Sequence, residues 1–195
     1  MAQVALFGTS ADPPTTGHRA IVEWLATRFD EVAVWAADNP FKVGQTPLEH
    51  RQAMLALLLE CVGQRYSNVR LCPHLSDGRS LHSVHLAQKD WPHAQLILVV
   101  GSDVLHSLPS WYRIEELLKA VHLQIVPRPG FPVSDADLNT LKTLGANLTV
   151  AADFVGPDVS STEYRQKKVE DVMIPAIASY IHQHSLYDSV QQNIP

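Results

Sequence analysis

The sequence predicts an α/β protein with a Rossmann-like, doubly wound, mainly parallel sheet of five to six strands. Helices are expected on both faces of the sheet, with further helices near the C-terminal end. The first reason is that apolar segments of strand length alternate with amphipathic helical patterns, the order typical of a helix-covered parallel sheet. The second is that the strand segments are apolar throughout, as strands buried on both faces are. With 195 residues, 46% of them hydrophobic, a single domain over 1–195 can bury one sizeable core.

Six apolar segments are predicted as strands, each bounded by polar or turn-forming residues. They are Gln3–Phe7, Glu31–Ala37, Asn68–Leu75, Ala94–Val100, Val121–Val126 and Asn147–Ala152. The strongest of these strand patterns is Ala94–Val100, which reads AQLILVV.

The intervening segments carry apolar residues at helical spacing and are predicted as helices. They are Gly17–Phe29, Thr46 to about Val62, Ser80–Lys89, Arg113–Ala120, Ser134–Leu144, Ser161–Val169 and Val172–His184. The run Thr46-Pro-Leu-Glu49 fits a capping box with proline at the first helical position. The acidic first turn of the helix at Ser134 suits the helix dipole.

Composition excludes several classes of function. The net charge of −5 does not favour a general nucleic-acid binder. No apolar run approaches the roughly 20 residues of a membrane span, and no signal peptide is predicted, so a cytoplasmic protein is expected. Cys61 and Cys72 fall in apolar patterns and are expected to be reduced packing residues. The oligomeric state is left open, with a homo-oligomer among the alternatives.

The histidines do not predict a metal site. His82 and His85 are three residues apart on a predicted helix, and His74 lies nearby in sequence. No cysteine or carboxylate completes a recognisable ligand spacing with them. No metal-binding residue is therefore predicted.

The candidate ligand site lies where the strands end, because parallel sheets bind ligands beyond the carboxyl ends of their strands. The segments that follow predicted strands are Gly8–His18, Asp38–Lys42, Leu75–His82, Gly101–Asp103, Pro127–Gly130 and Asp153–Ser161. Catalytic or binding side chains are expected among them.

The first of these segments has the residues of a phosphate-binding loop. Phe7–His18 reads FGTSADPPTTGH, and Gly8 is expected to let backbone N–H groups approach a ligand. Gly17 and His18 are expected in the first helical turn, where free N–H groups suit phosphate, and Thr15 can add a hydroxyl. The pattern is neither GxGxxG nor GxxxxGK(S/T). An ordinary strand–helix connection with a capping threonine explains these residues equally well.

Two motifs of this chain resemble those of the nucleotidyltransferase superfamily. Thr15-Thr-Gly-His18 resembles its H/T-x-G-H loop, and Val159–Arg165 (VSSTEYR) resembles its second motif, usually ISSTxIR. Gly101–Pro132 is similar to one branch, the bacterial nicotinate-nucleotide adenylyltransferases, in its G-x-D, Trp-Tyr and R-P-G elements. Asn39–Lys42 (NPFK) resembles the proline-containing stretch with a basic residue after the second strand. The resemblance runs from residue 4 to about 187.

The resemblance implies transfer of the adenylyl group of ATP to nicotinate mononucleotide, which gives deamido-NAD and pyrophosphate. It implies a catalytic set in which His18 donates to the α-phosphate, Thr15 binds phosphate, and Lys42 and Arg165 neutralise phosphate charge. The ATP-binding set that it implies is Gly8, Thr9, Ser10, Ala11, Gly17, His18, Gly101, Asp103, Ser160, Ser161, Thr162 and Arg165. The mononucleotide-binding set is Ser80, Leu81, His82, Trp111, Tyr112 and Arg128. Mg²⁺ is expected to be carried by ATP.

The chain departs from the family pattern at three places. Thr15 stands where this branch commonly has histidine, Ala11 where phenylalanine is often found, and Ser80-Leu81-His82 where the family has Ser-Tyr-Thr. The last change affects the segment that grips the pyridine carboxylate. Two alternatives therefore stay open: the same chemistry on nicotinamide mononucleotide, and a non-catalytic nucleotide-binding regulator.

Overall fold

The computed structural model describes residues 1–39, 42–167 and 172–188 and contains a six-stranded parallel sheet. The strand order is β3-β2-β1-β4-β5-β6, and every pair is parallel. The strands are β1 (Gln3–Thr9), β2 (Glu31–Ala36), β3 (Val69–Leu71), β4 (Gln95–Gly101), β5 (His122–Val126) and β6 (Asn147–Val150). The predicted fold class is confirmed.

Seven α-helices connect or follow the strands in the described parts of the chain. They are α1 (Thr16–Ala26), α2 (Leu48–Gly63), α3 (Ser80–Asp90), α4 (Ile114–Ala120), α5 (Asp135–Thr143), α6 (Ser161–Lys167) and α7 (Pro175–Gln183). Within the described residues, none of these helices combines the length and apolar character that crossing a membrane requires.

The sheet separates two apolar cores, since successive strand residues point to opposite faces. On one face, Ala5 and Phe7 of β1 pack with residues of α1, α2 and α7. On the other, Val4 and Leu6 pack with residues of α3 and α4. Because both faces are covered, the solid apolar strands of the sequence are explained.

The strand order reverses between β1 and β4, which are neighbours in register from Gln3–Gln95 to Leu6–Leu98. The first half of the sheet extends outward through β2 and β3, and the second half through β5 and β6. At such a switch point the connections leave in opposite directions, and a crevice opens beyond the carboxyl ends of the strands.

The third strand is shorter than the predicted Asn68–Leu75. It ends at Leu71, and Pro73–Leu75 forms a single 3₁₀ turn instead. Proline has no N–H to donate to a strand ladder, so the apolar pattern continues after the strand has ended.

The capping box predicted at Thr46 is not formed. Helix α2 begins at Leu48 with Pro47 as its N-cap, and no side chain caps it. The backbone of Thr46 is used elsewhere: its N–H donates to Asp12 over 3.4 Å and its carbonyl accepts from Arg51 over 2.8 Å. Tertiary contacts have thus replaced the local cap.

Two further helix boundaries differ from the prediction by three residues each. Helix α1 ends at Ala26 rather than Phe29. Helix α7 begins at Pro175 rather than Val172, because proline favours the first helical position. The predicted end of the helix at 161–169 lies outside the described residues, as does part of the NPFK stretch. The cap of α5 is formed, since Ser134 Oγ accepts from the N–H of Asp137 over 3.1 Å.

Candidate active site

A cleft of about 600 Å³ lies at the carboxyl ends of β1 and β4. It brings together residues that are far apart in sequence, from the loops after β1, β2, β4 and β5 and from the loop before α6. The predicted site residues that line it are Gly8, Thr9, Ser10, Thr15, Gly17, His18, Lys42, Gly101, Asp103, Trp111, Arg128, Ser160, Ser161, Thr162 and Arg165.

His18 is held in one tautomer by Thr15, the N-cap of α1. The backbone N–H of Thr15 donates to Nδ1 of His18 over 3.1 Å, and the Thr15 hydroxyl lies 3.0 Å from the same nitrogen. An amide can only donate, so Nδ1 is the acceptor and the proton of the neutral ring is on Nε2. His18 thereby lines the cleft as a hydrogen-bond donor.

The imidazole of His18 is neutral at ordinary pH. Burial and, secondarily, the positive charge of Arg128 lower the pKa of His18 to about 4. A partly shielded ring near a cation resists protonation because a second positive charge would be poorly solvated and unpaired there. The ring can therefore donate a hydrogen bond from Nε2, but it does not carry the second proton that a general acid would transfer.

The two motifs that are expected to bind phosphate are Thr15–His18 and Val159–Arg165. Direct hydrogen bonds join the segments that carry them, although more than 140 residues separate the motifs in sequence. The Ser161 hydroxyl donates to the carbonyl of Pro13 over 2.8 Å. The guanidinium of Arg165 donates to the carbonyl of Asp12 and, over 3.2 Å, to the hydroxyl of Thr162. The first loop and the start of α6 therefore form one wall of the cleft.

Lys42 reaches the same cleft from the loop after β2. Its ammonium donates to the hydroxyl of Ser10 over 2.8 Å. That contact places a lysine charge beside the first loop, and Lys42 itself is exposed. An exposed ammonium at this position can approach a phosphate without a large desolvation cost.

The opposite wall is built around an ion pair between Asp103 and Arg128, whose Oδ2 and Nη1 lie 2.9 Å apart. A side chain at Gly101 would overlap the Asp103 carboxylate and fall 2.8 Å from Cδ of Arg128. Ser102 supports the pair, because its hydroxyl accepts from the N–H of Arg128 over 2.8 Å and donates to the carbonyl of Phe131. A side chain at position 101 would therefore displace the side chains of this ion pair.

Packing gives a second reason for glycine at position 8, beside the ligand approach that the sequence predicts. It lies within β1, and a Cβ there would be 2.7 Å from the indole ring of Trp35 in the adjacent strand. The space that a side chain would fill is occupied by Trp35. The residue lines the cleft as well, but the tight contact is with the core.

Five predicted residues are not part of the cleft lining: Ala11, Ser80, Leu81, His82 and Tyr112. Ala11 and Leu81 are buried in the two cores. His82 lies beside Tyr112, with ring centroids 5.7 Å apart, and contacts Asp77 at 3.2 Å. Tyr112 follows Trp111, which lines the cleft, so Tyr112 and His82 flank the cleft on the side of α3.

Sequence reasoning missed a buried arginine that joins the loops of the cleft. Arg51 on α2 is 2% exposed. Its guanidinium donates to the carbonyls of Thr46, Ser10 and Ala37 at 2.8, 3.0 and 2.8 Å. In the sequence, the only indication of this role was a charged residue within a helix whose other inward residues are apolar.

Asp12 was also missed. It is 4% exposed, and its carboxylate accepts from the hydroxyl of Tyr187 over 2.6 Å and from the N–H of Thr46. Its carbonyl accepts from Arg165. The only indication in the sequence was an acidic residue in the first loop, between Gly8 and Thr15.

The three histidines considered as metal ligands have separate partners. His74 pairs with Asp90 at 2.6 Å, and His85 lies 3.6 Å from Glu116. Across residues 1–39, 42–167 and 172–188, no group of three or more histidine, cysteine or acidic side chains is placed to hold a metal ion. Cys61 and Cys72 are both free thiols.

Relatives in sequence match nearly the full length of the chain. The profile of the cytidylyltransferase-like family matches residues 6–167. A probable nicotinate-nucleotide adenylyltransferase of Synechocystis sp. is 47% identical, over 95% of this chain and 98% of its own. The nicotinate-nucleotide adenylyltransferase of Bacillus subtilis is 29% identical, over 97% and 100% of the two chains.

The fold is similar to solved structures of enzymes with such names. The Plasmodium falciparum nicotinic acid mononucleotide adenylyltransferase complexed with NaAD superimposes with a TM-score of 0.82 at 19% identity, covering 96% of this chain and 98% of that one. The family profile spans most of the chain, and the Synechocystis relative is 47% identical over 95% of it. The protein therefore belongs to the cytidylyltransferase-like family, in the branch of the nicotinate-nucleotide adenylyltransferases.

Proposed function

We propose that the protein transfers the adenylyl group of ATP to nicotinate mononucleotide, giving deamido-NAD and pyrophosphate. The observation that carries the proposal is the shared cleft of His18 and Arg165, which two linked loops hold together. These residue types bind and polarise phosphates. Family membership supports the choice of substrates, since its named relatives act on nicotinate nucleotides.

The reaction needs no covalent enzyme intermediate. An oxygen of the mononucleotide 5′-phosphate attacks the α-phosphorus of ATP, and the bond from that phosphorus to the bridging oxygen of the β-phosphate breaks. Pyrophosphate leaves with the electron pair of that bond. Catalysis of this kind depends on positioning and on stabilising charge at the transferring phosphate.

The residues of the first wall would act on the ATP phosphates. His18 would donate from Nε2 to an α-phosphate oxygen, as its tautomer permits. Because the pKa of His18 is lowered to about 4, it would stabilise charge as a neutral donor and would not transfer a proton. Thr15, Lys42 and Arg165 would contact the remaining phosphate oxygens, and Ser160–Thr162 would hold the β- and γ-phosphates.

The second wall would hold the nucleosides. Gly101 and Asp103 would contact the ribose or adenine of ATP. Trp111 would stack on the nicotinate ring, with Arg128 beside it in the lining. Tyr112, Ser80 and His82 do not line the cleft, so they would reach the mononucleotide from its flank, and Leu81 would contribute through its backbone.

Mg²⁺ is proposed to enter with ATP, because magnesium at nucleotide sites is commonly held by the substrate phosphates and water. A cytoplasmic location is proposed on the same basis as the activity, since the dinucleotide would be made where ATP is available.

The decisive experiment incubates the purified protein with ATP, Mg²⁺ and either nicotinate or nicotinamide mononucleotide. Chromatography of the dinucleotide and a pyrophosphate assay give two independent readouts. We expect both products with the nicotinate substrate and a higher kcat/KM for it than for the amide. Equal use of the amide would overturn the substrate assignment, and binding of ATP without pyrophosphate release would identify a regulator.

A further inference from the structure

Tyr187, in the turn after α7, contacts the wall of the cleft that the first loop and the start of α6 form, which we call the phosphate wall. The hydroxyl of Tyr187 donates to Oδ1 of Asp12 over 2.6 Å. Its ring packs edge-on against the ring of Tyr164 in α6, with centroids 6.0 Å apart. Tyr187 therefore contacts both segments that form this wall.

Asp12 connects Tyr187 to Arg165 through hydrogen bonds. The carboxylate of Asp12 is held by Tyr187 and by the N–H of Thr46, and its carbonyl accepts from the guanidinium of Arg165. Tyr164, the neighbour of Arg165 in sequence, is 6% exposed and packs against the Tyr187 ring. The position of Arg165 is thus supported from two sides by the same tyrosine.

We propose that Tyr187 is a positioning residue for nucleotide binding: by fixing Asp12 and Tyr164, it orients Arg165 toward the phosphates of ATP. The inference rests on the proposed function in so far as ATP is the ligand of this wall. Tyr187 does not line the cleft itself, so it acts through the residues that do.

The chemistry of the contact fits a lasting structural link. Burial raises the pKa of the Tyr187 phenol above its ordinary range, and the hydrogen bond to Asp12 raises it further. The hydroxyl therefore keeps its proton throughout the neutral range and stays a donor. A hydrogen bond to a charged or buried acceptor is also one of the stronger kinds.

The test measures binding of a methylene-bridged ATP analogue with Mg²⁺ by calorimetry, so it does not require turnover. Tyr187→Phe is expected to lower the affinity for the analogue about fivefold, which is the effect of losing one hydrogen bond. Its affinity for nicotinate mononucleotide is expected to stay within about twofold. Arg165→Ala weakens the analogue as well, and adding Tyr187→Phe to it causes no further loss, because the two residues act in series.

Tyr180→Phe is the matched control. Tyr180 lies on α7 itself, and its hydroxyl is 2.9 Å from Nδ1 of His50 on α2 instead of contacting Asp12. Its removal loosens the packing of α7 on α2 but leaves Asp12 untouched, so analogue binding is expected to be unchanged. Thermal unfolding of each variant reports how much of any effect is loss of stability.

Three results would overturn the inference. They are equal loss of affinity in Tyr180→Phe, equal loss for both nucleotides in Tyr187→Phe, and additive losses in the double variant. Failure of the proposed function looks different, since the wild-type protein would then form no dinucleotide whatever the variants bind.

Discussion

The backbone N–H of Thr15 and Nδ1 of His18 are joined by a hydrogen bond of 3.1 Å, which places the ring proton on Nε2. The helix N-cap and the proposed catalytic donor are therefore one structural unit. Thr15 starts α1, and the same residue determines what His18 can offer to a ligand. A single local motif thus links helix formation to chemistry.

Replacing His18 by alanine is expected to lower kcat by at least ~10²-fold, the effect of losing one preorganised donor to a developing charge. The fold should be kept, because Thr15 stays as the N-cap residue of α1 and only the contacts of its N–H and hydroxyl with the His18 ring are lost. Initial rates with saturating ATP and nicotinate mononucleotide measure the effect. His74→Ala, an exposed histidine paired with Asp90, is the control and should turn over normally. Normal turnover by His18→Ala would exclude the donor role.

His18 also makes the folded state sensitive to acid. Its pKa is lowered from 6.5 to about 4 on folding, so the unfolded chain binds more protons in that interval. The stability contribution is complete above pH 6.5 and is lost as the pH falls toward 4. At a pH of about 4.5 the loss should reach about 2 kcal/mol relative to neutral pH.

Urea unfolding of the wild type and of His18→Ala at several pH values isolates this contribution. His122, whose pKa is also lowered by burial, is common to both proteins and cancels in the comparison. We expect the difference between the two proteins to change with pH below 6.5. A constant difference across the range would show that His18 titrates normally in the folded protein.

Gly101→Ala is expected to disturb the wall that Asp103 and Arg128 form, because the new Cβ would fall 2.8 Å from Cδ of Arg128. We expect KM values to rise about tenfold and the protein to lose about 1–3 kcal/mol of stability, as overpacking costs. Gly63→Ala is the control: no atom lies within 4 Å of its Cβ position at the end of α2. If both variants behaved alike, the packing argument would be wrong.

Arg51→Met is expected to lower the free energy of unfolding by about 3 kcal/mol, because three loop carbonyls would lose a charged donor inside the protein. The loops after β1 and β2 should loosen with it, so hydrogen exchange of Ser10 and Ala37 should speed up. Arg70→Met is a control, since Arg70 is an exposed partner of Glu31 at 3.4 Å. Such a surface pair contributes about 0–1 kcal/mol. Equal destabilisation of the two variants would contradict the assigned role of Arg51.

Local pattern predicted the elements well where the residues themselves determine them. The six strands follow from solid apolar runs, and the acidic residues after Ser134 lie in the first turn of α5 as predicted. Prediction failed where a distant group competed. Thr46 looks like a cap in sequence, yet its backbone is held by Asp12 and Arg51 instead. Such competition depends on which loops the fold brings together.

The site shows the same division. Motif spacing indicated Thr15, His18 and Arg165, and the structure places all three in one cleft. Arg51 carried no motif, because a buried arginine is recognisable only when its carbonyl acceptors are in place. Gly8 was indicated for ligand approach, whereas its space is filled by Trp35 from the neighbouring strand. A glycine in the sequence does not show which neighbouring group occupies the space that a side chain would fill.

Sequence patterns alone indicate the alternation of strands and helices, the two motifs expected to bind phosphate, and the family that these motifs resemble. Those features are local, because each depends on residue type and spacing along one segment. The contacts that join Asp12 to Arg165, and Tyr187 to the same acid, become visible only once the chain is folded. Contacts between residues 175 positions apart arise from packing, and no local pattern encodes them.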